Sequence, residues 1–220
     1  MNPIIIIPAF NPPDTFIHLL KSIRSETSIP IIIIDDGTKS AVHIDQNIID
    51  VILLRNNINR GKGYTLIKGI NYALDHGFTH GITLDADSQH DPASIIEFLS
   101  INEKISIVCG KRNLKGSMPI HRRLSNLITT KIISLICHTK LFDSQCGYRR
   151  YRLKDVHSEI FIEKGFQFES EVLIKLLRKK ELTISHIDIS TIYADESSTM
   201  HNFYDTLKFI RLIIRTLLKY

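Results

Sequence analysis

The chain has no tryptophan, only three cysteines among its 220 residues, and no long apolar run. The cysteines, Cys109, Cys137 and Cys146, do not form the C-x-x-C spacing of zinc sites, so we expect reduced structural thiols. No apolar stretch approaches the roughly 18 residues that a membrane-spanning helix needs. A strand-like run begins at Ile4, so we expect no signal peptide. These absences together favour a cytoplasmic protein.

Internal repeats, low-complexity tracts and linker-like segments are missing too, and the length fits one domain. The composition is 43% hydrophobic and 23% charged, which supports a full core and argues against disorder. The formal net charge is +5, because 28 basic residues exceed 23 acidic ones. A basic balance indicates an acidic partner: nucleic acid, a phosphorylated substrate or an anionic membrane.

Short β-branched runs alternate with helical patterns through the first half of the chain. Residues 4–7 and 31–34 are apolar at every position, as strands covered on both faces of a parallel sheet are. Residues 13–25 and 62–76 have the spacing of helices, and 51–54 and 82–84 read as further strands. The pattern predicts an α/β fold with a mostly parallel, Rossmann-like, doubly wound sheet and helices on both faces.

Polar residues follow three of these strands. The three segments are Pro8-Ala9-Phe10-Asn11, Asp35-Asp36-Gly37-Thr38 and Asp85-Ala86-Asp87. Ligands of doubly wound sheets bind beyond the carboxyl ends of the strands, so we expect a nucleotide there. Asp85 and Asp87 would point the same way from an extended segment and repel each other unless a cation lies between them. Oxygen ligands suit Mg²⁺ or Mn²⁺, although an isolated D-x-D also fits a solvated turn before a helix.

Three further segments carry positive charge. In Asn59-Arg60-Gly61-Lys62-Gly63, the helix start and Lys62 could hold a phosphate, or the segment could simply initiate the helix. It lacks the spacing of a Walker A loop. Later, a basic cluster precedes a helix predicted at 124–138, and the 143–150 segment combines an acid with two arginines. The cluster is Arg112, Lys115, His121, Arg122 and Arg123. Arginine matches phosphate oxygens bidentately, but charge runs are also ordinary solvated surfaces.

The end of the chain carries three more patterns. Residues 166–180 predict a helix whose Glu169 and Glu171 lie near its N-terminus, where acids are favourable. Residues 183–193 alternate like an edge strand, and 194–201 read as a polar loop.

Five motifs, taken in order, resemble those of the family 2 glycosyltransferases, most closely the dolichyl- or polyprenyl-phosphate sugar transferases. They are Pro8-Ala9-Phe10-Asn11, Asp35-Asp36-Gly37-Thr38, Asn59-Arg60-Gly61-Lys62-Gly63, Asp85-Ala86-Asp87-Ser88-Gln89-His90 and Asp143-x-Gln145-Cys146-Gly147-Tyr148-Arg149. The resemblance implies a GT-A fold over residues 1–201. It also implies an inverting transfer of a sugar from a nucleotide-sugar donor, with Mg²⁺ or Mn²⁺, to a polyprenyl phosphate.

The resemblance also implies roles for single residues. The nucleotide-binding residues would be Pro8, Ala9, Asn11, Asp36, Lys62 and Asp85, with Asp36 at the base and ribose. The metal and the donor diphosphate would be held by Asp85, Asp87 and Gln89. The catalytic residues would be Asp143, Arg149 and Arg112, with Arg149 at the phosphate of a lipid acceptor. A phosphate acceptor needs orientation, whereas a hydroxyl acceptor needs a general base, for which Asp143 is the candidate.

One loop departs from the family pattern. The relatives usually carry an arginine and a serine–lysine pair after the last strand, where residues 193–201 have neither arginine nor lysine. Ser198 and His201 are the candidate replacements, and the transmembrane helices of some relatives are missing. The alternatives are therefore a transferase acting on a saccharide hydroxyl in cell-surface polysaccharide synthesis, or a non-catalytic α/β nucleotide-binding domain. A nucleotidyltransferase is disfavoured, since no glycine-rich triphosphate loop follows residues 4–7.

Residues 202–220 predict an amphipathic helix. Lys208, Arg211, Arg215 and Lys219 recur at spacings of three and four, so they share one face beside a broad apolar surface. This pattern suits the inner face of an anionic membrane. It equally suits a helix packed on the domain or docked on a membrane partner subunit. The expected partners are thus a nucleotide-sugar, a lipid-phosphate or saccharide acceptor and a membrane surface, rather than nucleic acid.

Overall fold

The computed structural model describes residues 1–113, 120–179, 181–190 and 202–218, which form a seven-stranded sheet with helices on both faces. The strands are β1 (Pro3–Ala9), β2 (Ile31–Asp35), β3 (Val51–Arg55), β4 (His80–Thr83), β5 (Ile107–Arg112), β6 (Arg149–Arg152) and β7 (Ile184–Ile189). The helices are α1 (Phe16–Glu26), α2 (Lys62–Asp75), α3 (Ser94–Ser100), α4 (Ile120–Ile136), α5 (Leu153–His157), α6 (Phe168–Leu177) and α7 (Asn202–Leu218).

The strand order is β3-β2-β1-β4-β6-β5-β7, and every neighbouring pair that excludes β6 is parallel. The predicted mostly parallel, doubly wound sheet is therefore confirmed. Strand β6 runs antiparallel to both β4 and β5, with Arg149 opposite Thr83 and Cys109. Because of this reversal, the loop that precedes β6 lies at the edge where β4 and β5 end.

The isoleucine runs of β1 and β2 are buried on both faces of the sheet. Ile4 and Ile6 pack in the layer that contains α2, α4 and α6, whereas Ile5 and Ile7 pack with α1 and α3. All four side chains are fully buried. This two-sided burial explains why the run has no polar alternation. Each such side chain contributes roughly 1.5–3 kcal/mol by leaving water.

Most predicted elements are present with shifted ends. Strand β7 is at the edge of the sheet, as its alternation predicted, and the three cysteines are free and buried. Burial raises the pKa of Cys109 to about 11, which keeps this thiol protonated and unreactive. Helix α4 begins before residue 124, and the sequence did not predict β6 and α5. Lys115, Lys219 and the 194–201 loop with Ser198 and His201 lie outside the described residues.

Helix α7 is docked on the domain through one of its faces. Leu212 is buried in the core, and Arg215 pairs with Glu163 at 3.1 Å and with Glu171 of α6 at 3.0 Å. The predicted basic stripe is therefore wrong for Arg215, which faces the protein. One face of α7 therefore packs on the domain, and its contact with a membrane stays a prediction. Across the described ranges, no helix is long and apolar enough to cross a membrane.

Candidate active site

The ends of β1 and β2 lie side by side at one edge of the sheet. The backbone N–H of Asp36 donates to the carbonyl of Ala9 at 2.7 Å, and that of Asn11 donates to the Thr38 hydroxyl at 3.0 Å. Asn11 has a φ of 46°, a left-handed conformation that asparagine tolerates, and its side chain is exposed. Pro8 is half-buried beside the buried Ala9. The predicted nucleotide residues of β1 are thus adjacent to those of β2.

Asp36 shapes the loop that leads into α2. Its buried carboxylate accepts hydrogen bonds from the N–H groups of Arg60 at 2.9 Å and Gly61 at 2.8 Å, and from the Asn56 amide at 2.7 Å. Gly61 has a φ of 94°, and any Cβ there would collide with the carbonyl of Lys164. This position therefore requires glycine. The contact of Asp36 with base or ribose stays a prediction, to which the structure adds this loop-holding role.

Asp35, the residue before Asp36, contacts only structural partners among the interactions described. Its buried carboxylate accepts from the N–H groups of Thr38 at 2.8 Å and Val42 at 3.2 Å, and lies 3.3 Å from Arg55 Nη1. These contacts close the turn after β2. Asp35 thereby supports the position of Asp36.

Lys62, the first residue of α2, lies between two carboxylates from different elements. Its Nζ atom is 2.7 Å from Asp85 Oδ1, just after β4, and 2.7 Å from Glu169 Oε1 in the first turn of α6. Burial alone would lower the pKa of Lys62, but the two carboxylates outweigh it and raise that pKa. Burial would likewise raise the pKa of Asp85, yet Lys62 and His90 bring it below its usual value. Lys62 and Asp85 are therefore both charged near neutral pH.

The D-x-D segment turns sharply after β4. Asp87 accepts the N–H of Gln89 at 3.1 Å, and Ser88 between them has a φ of 60°. The side chains of Asp85, Asp87 and Gln89 are half-buried. No group of three or more His, Cys, Asp or Glu side chains forms a ready metal site within the described ranges. Mg²⁺ often uses only one or two carboxylates plus substrate phosphates, so this oxygen donor set fits such a metal once a diphosphate is present.

His90 is a site residue that appeared in a motif but received no role from the sequence. It is buried, stacks on Tyr148 with ring centroids 4.9 Å apart, and its Nδ1 accepts the N–H of Asp85 at 3.4 Å. Burial lowers the pKa of His90 to about 4, despite the opposing pull of Asp85. The imidazole is therefore neutral at physiological pH and holds the backbone of Asp85 in place.

Arg112 and Asp143 form a bidentate pair. The Arg112 Nε donates to Asp143 Oδ2 at 2.7 Å, and its Nη2 donates to Oδ1 at 3.0 Å. Asn126 of α4 donates to the same carboxylate at 2.8 Å, and the N–H of Gln145 donates at 3.2 Å. Burial would raise the pKa of Asp143, but Arg112 and the hydrogen bond from Asn126 lower it. Asp143 therefore fits the role of holding Arg112 better than that of a general base. Asn126 was missed by sequence reasoning, although it is a polar residue within an apolar helix.

The loop before β6 joins these two pairs. A Cβ on Gly147 would lie 3.0 Å from both Asp85 Oδ2 and Lys62 Nζ. The electrostatic neighbours of His90 include Asp85, Lys62, Arg112 and Asp143. The 143–147 loop thus brings Arg112 and Asp143 close to the Lys62–Asp85 pair, in the region that we call the cleft.

Arg149 does not reach this cleft, and its predicted contact with an acceptor phosphate is wrong. The side chain is fully buried, and its guanidinium donates to the carbonyls of Cys146 at 2.7 Å, Ser144 at 2.7 Å and Glu169 at 2.9 Å. Arg149 therefore holds the 143–147 loop against α6. Arg149 thus affects the site by holding the backbone of this loop in position.

Comparisons with known proteins identify the family of the chain. A model of the family described as Glycosyl transferase family 2 matches residues 4–175. The chain is similar to a UDP-N-acetylglucosamine–dolichyl-phosphate N-acetylglucosaminyltransferase of Methanococcus voltae, at 29% identity over 218 residues, covering 88% of this chain and 86% of that protein. It is also similar to an undecaprenyl-phosphate mannosyltransferase of Micrococcus luteus, at 22% identity over 193 residues, covering 81% and 79%.

Solved structures show the same fold. Glucosyl-3-phosphoglycerate synthase from Mycobacterium tuberculosis, in complex with Mn²⁺, UDP and phosphoglyceric acid, superposes with a TM-score of 0.69 at 16% identity, covering 99% of this chain and 78% of that one. The same enzyme with Mg²⁺ and UDP gives a TM-score of 0.70 at 15% identity, covering 99% and 78%. At this level of identity the likeness concerns the fold.

Proposed function

Because the chain belongs to glycosyl transferase family 2, we propose that it transfers a sugar from a nucleotide-sugar donor to a polyprenyl phosphate, inverting the anomeric carbon. The protein is a GT-A enzyme that depends on a nucleotide-sugar. The two relatives named for dolichyl-phosphate and undecaprenyl-phosphate transfer support a lipid-phosphate acceptor. The observation that carries the proposal is the 143–147 loop, which holds Asp143 with its partner Arg112 at one end and places Gly147 beside the Lys62–Asp85 pair at the other.

On the donor side, the ends of β1 and β2 would hold the base and ribose, through Pro8, Ala9, Asn11 and Asp36. The N-terminus of α2 and Lys62 would bind the diphosphate, since backbone N–H groups and the helix dipole favour anions there. Asp85, Asp87 and Gln89 would hold Mg²⁺ or Mn²⁺. The bound ion would supply a Lewis acid that neutralises charge on the departing diphosphate.

On the acceptor side, Arg112 is the residue that would bind the lipid phosphate. Its guanidinium is held by Asp143 in a fixed plane, and arginine matches phosphate oxygens well. An acceptor phosphate oxygen forms the new bond to the anomeric carbon as the bond to the donor diphosphate breaks. The nucleoside diphosphate leaves with the electron pair. The acceptor is already ionised, so the protein needs to orient it rather than remove a proton.

The saccharide-hydroxyl alternative requires a general base. Asp143 was the candidate, but its pKa is lowered and both of its oxygens accept hydrogen bonds. A carboxylate stabilised in this way is a weak base. This observation favours a phosphate acceptor over a hydroxyl acceptor.

The test is a transfer assay with radiolabelled nucleotide-sugars, Mg²⁺ or Mn²⁺, and a short-chain polyprenyl phosphate. Transfer moves label into the organic phase, and we expect Arg112→Met to lose it while the donor still binds. Arg152→Met is a matched control, because Arg152 pairs with Asp155 on another surface at 2.6 Å. Transfer to a saccharide hydroxyl, with none to the lipid phosphate, would contradict the proposed acceptor.

We further propose that α7 and α4 rest on the inner face of the membrane. After α7 has docked, it still exposes Leu207, Ile210, Ile214 and Leu217, with Lys208 and Arg211 beside them. Helix α4 exposes its own stripe of Ile120, Leu124, Leu127, Ile128 and Leu135. Both helices pack on the side of the sheet that contains α6. Exposed apolar stripes flanked by basic residues suit an anionic lipid surface, which would bring the cleft close to a lipid acceptor.

Flotation with vesicles of anionic and of zwitterionic lipid tests this surface. We expect the protein to float with anionic vesicles, less so in high salt, and the pair Ile210→Gln and Ile214→Gln to reduce flotation severalfold. Ile96→Gln is the matched control, since Ile96 is equally exposed but lies on α3, on the opposite side of the sheet. Equal flotation of the double variant and the control would refute the membrane surface. Salt-insensitive binding would refute the role of the basic residues.

A further inference from the structure

The ion pair of Lys62 with Asp85 uses a carboxylate that the proposed function assigns to the metal. The ammonium is 2.7 Å from Asp85 Oδ1, and the Lys62 side chain is only 17% exposed. A divalent ion bound by Asp85 would lie within a few ångströms of this charge. Two cations at such a distance repel each other strongly in a partly buried cleft. Metal binding at Asp85 therefore competes with Lys62.

Glu169 gives Lys62 a second anchor. Its Oε1 is 2.7 Å from the same ammonium, its side chain is 7% exposed, and its backbone is fixed by the hydrogen bond from Arg149 to its carbonyl. Within the described residues, the other carboxylate oxygen, Oε2, is buried without a hydrogen-bond partner. A buried acceptor without a partner is costly, so this oxygen is available to a cation that shifts toward it. Lys62 can thus leave Asp85 and remain paired.

We propose that Lys62 is a resident counter-ion that keeps Asp85 from binding a free divalent ion, and that the donor diphosphate draws it away while Glu169 retains it. This inference rests on the proposed function. Glu169 is in this view a positioning residue, acting through Lys62. A diphosphate next to α2 attracts the ammonium, and Asp85 is then open to the metal. Metal and nucleotide should therefore bind cooperatively, each strengthening the other by the same factor.

The experiment measures Mn²⁺ binding by calorimetry, alone and with the best-binding member of a panel of nucleoside diphosphates. In the unmodified protein, we expect weak binding of Mn²⁺ alone and much tighter binding with the nucleotide. The decisive variant is Lys62→Met with Glu169→Gln, which removes both charges, keeps the net charge and leaves no buried carboxylate of Glu169 unpaired. We expect it to bind Mn²⁺ alone roughly tenfold more tightly, within the usual range for coupled sites.

The single variant Glu169→Gln tests the positioning role. In this variant Lys62 is paired only with Asp85, so Mn²⁺ without a nucleotide should bind no more tightly than in the unmodified protein. The increase in Mn²⁺ affinity on adding the nucleotide should become smaller. An unchanged increase in Mn²⁺ affinity on adding the nucleotide would refute the positioning role of Glu169. Circular dichroism checks that each variant is folded.

The outcomes separate this inference from the proposed function. If the unmodified protein binds Mn²⁺ with a nucleotide but the double variant binds Mn²⁺ alone no more tightly, the counter-ion role is refuted and the function stands. If the unmodified protein binds neither ligand in any combination, the metal-dependent function fails, and the counter-ion role fails with it.

Discussion

Replacing Asp143 by asparagine should strongly destabilise the fold as well as reduce transfer. The carboxylate is buried and accepts hydrogen bonds from Arg112 at 2.7 and 3.0 Å and from Asn126 at 2.8 Å. Asparagine turns an N–H₂ group toward one of these donors and removes the carboxylate charge that compensates Arg112. Breaking a buried pair in this way costs about 3–5 kcal/mol in the free energy of unfolding.

A matched variant lies on the neighbouring strand, β7. Lys111, next to Arg112, pairs with Asp188 at 2.8 Å, but the Asp188 side chain is 84% exposed. Asp188→Asn makes the same chemical change to an exposed pair, so it should cost about 0–1 kcal/mol. Urea unfolding of both variants, followed by circular dichroism at neutral pH, measures the difference.

The pH dependence has a definite direction. The pKa of Asp143 is lowered in the folded protein, chiefly by Arg112 against the effect of burial. Its stabilisation is therefore fully present above the unfolded pKa of about 3.9 and is lost as the pH falls through the folded pKa. The penalty of Asp143→Asn should shrink in acid. If Asp143→Asn costs no more than Asp188→Asn, and its penalty does not change with pH, the description of a buried charge-compensating pair is wrong.

Three other predictions follow from the site. Asp87→Asn should keep the fold but remove metal-dependent binding of a nucleotide-sugar, and unchanged metal dependence in calorimetry would contradict the metal assignment. Asp36→Ala should loosen the loop before α2 and weaken nucleoside monophosphate and diphosphate alike; a loss confined to the diphosphate would place Asp36 at the phosphates. The free energy of unfolding should fall between pH 6.5 and about 4, because the pKa of His90 is lowered to about 4, and His90→Asn should reduce this loss. That loss is on the order of 3 kcal/mol in the unmodified protein, and equal urea midpoints across this range would refute it.

The parallel part of the sheet could be predicted from the sequence because its strands are buried on both faces. Residues 4–7 and 31–34 are apolar at every position, whereas a surface helix or an edge strand would carry polar residues at regular intervals. The polar ends of these strands could be predicted to meet, since parallel strands end at the same edge. Local patterns thus sufficed for the donor half of the cleft.

Strand β6 could not be predicted, because Arg149 and Arg150 suggested either a phosphate contact or a solvated charge run. In the structure, Arg150 is buried and donates to the carbonyls of Phe98 at 2.8 Å, Ile101 at 2.6 Å and Asn102 at 2.8 Å. Such burial depends on carbonyls about fifty residues away. The pairing of Lys62 with Glu169 could not be predicted either, because the two residues are more than one hundred positions apart and no local pattern links them.

The position of β6 has a consequence for the order in which the chain can fold. Residues 149–152 form β6, which lies between β4 and β5. These two strands therefore cannot join the same sheet until residue 152 has left the ribosome. Until then β4 has an unpaired edge, and unpaired edges promote association between chains. Closing the loops that bring β6 into place also costs entropy and slows folding. We therefore expect chains that end before residue 149 to aggregate during synthesis, and the acceptor half of the cleft to assemble after the donor half.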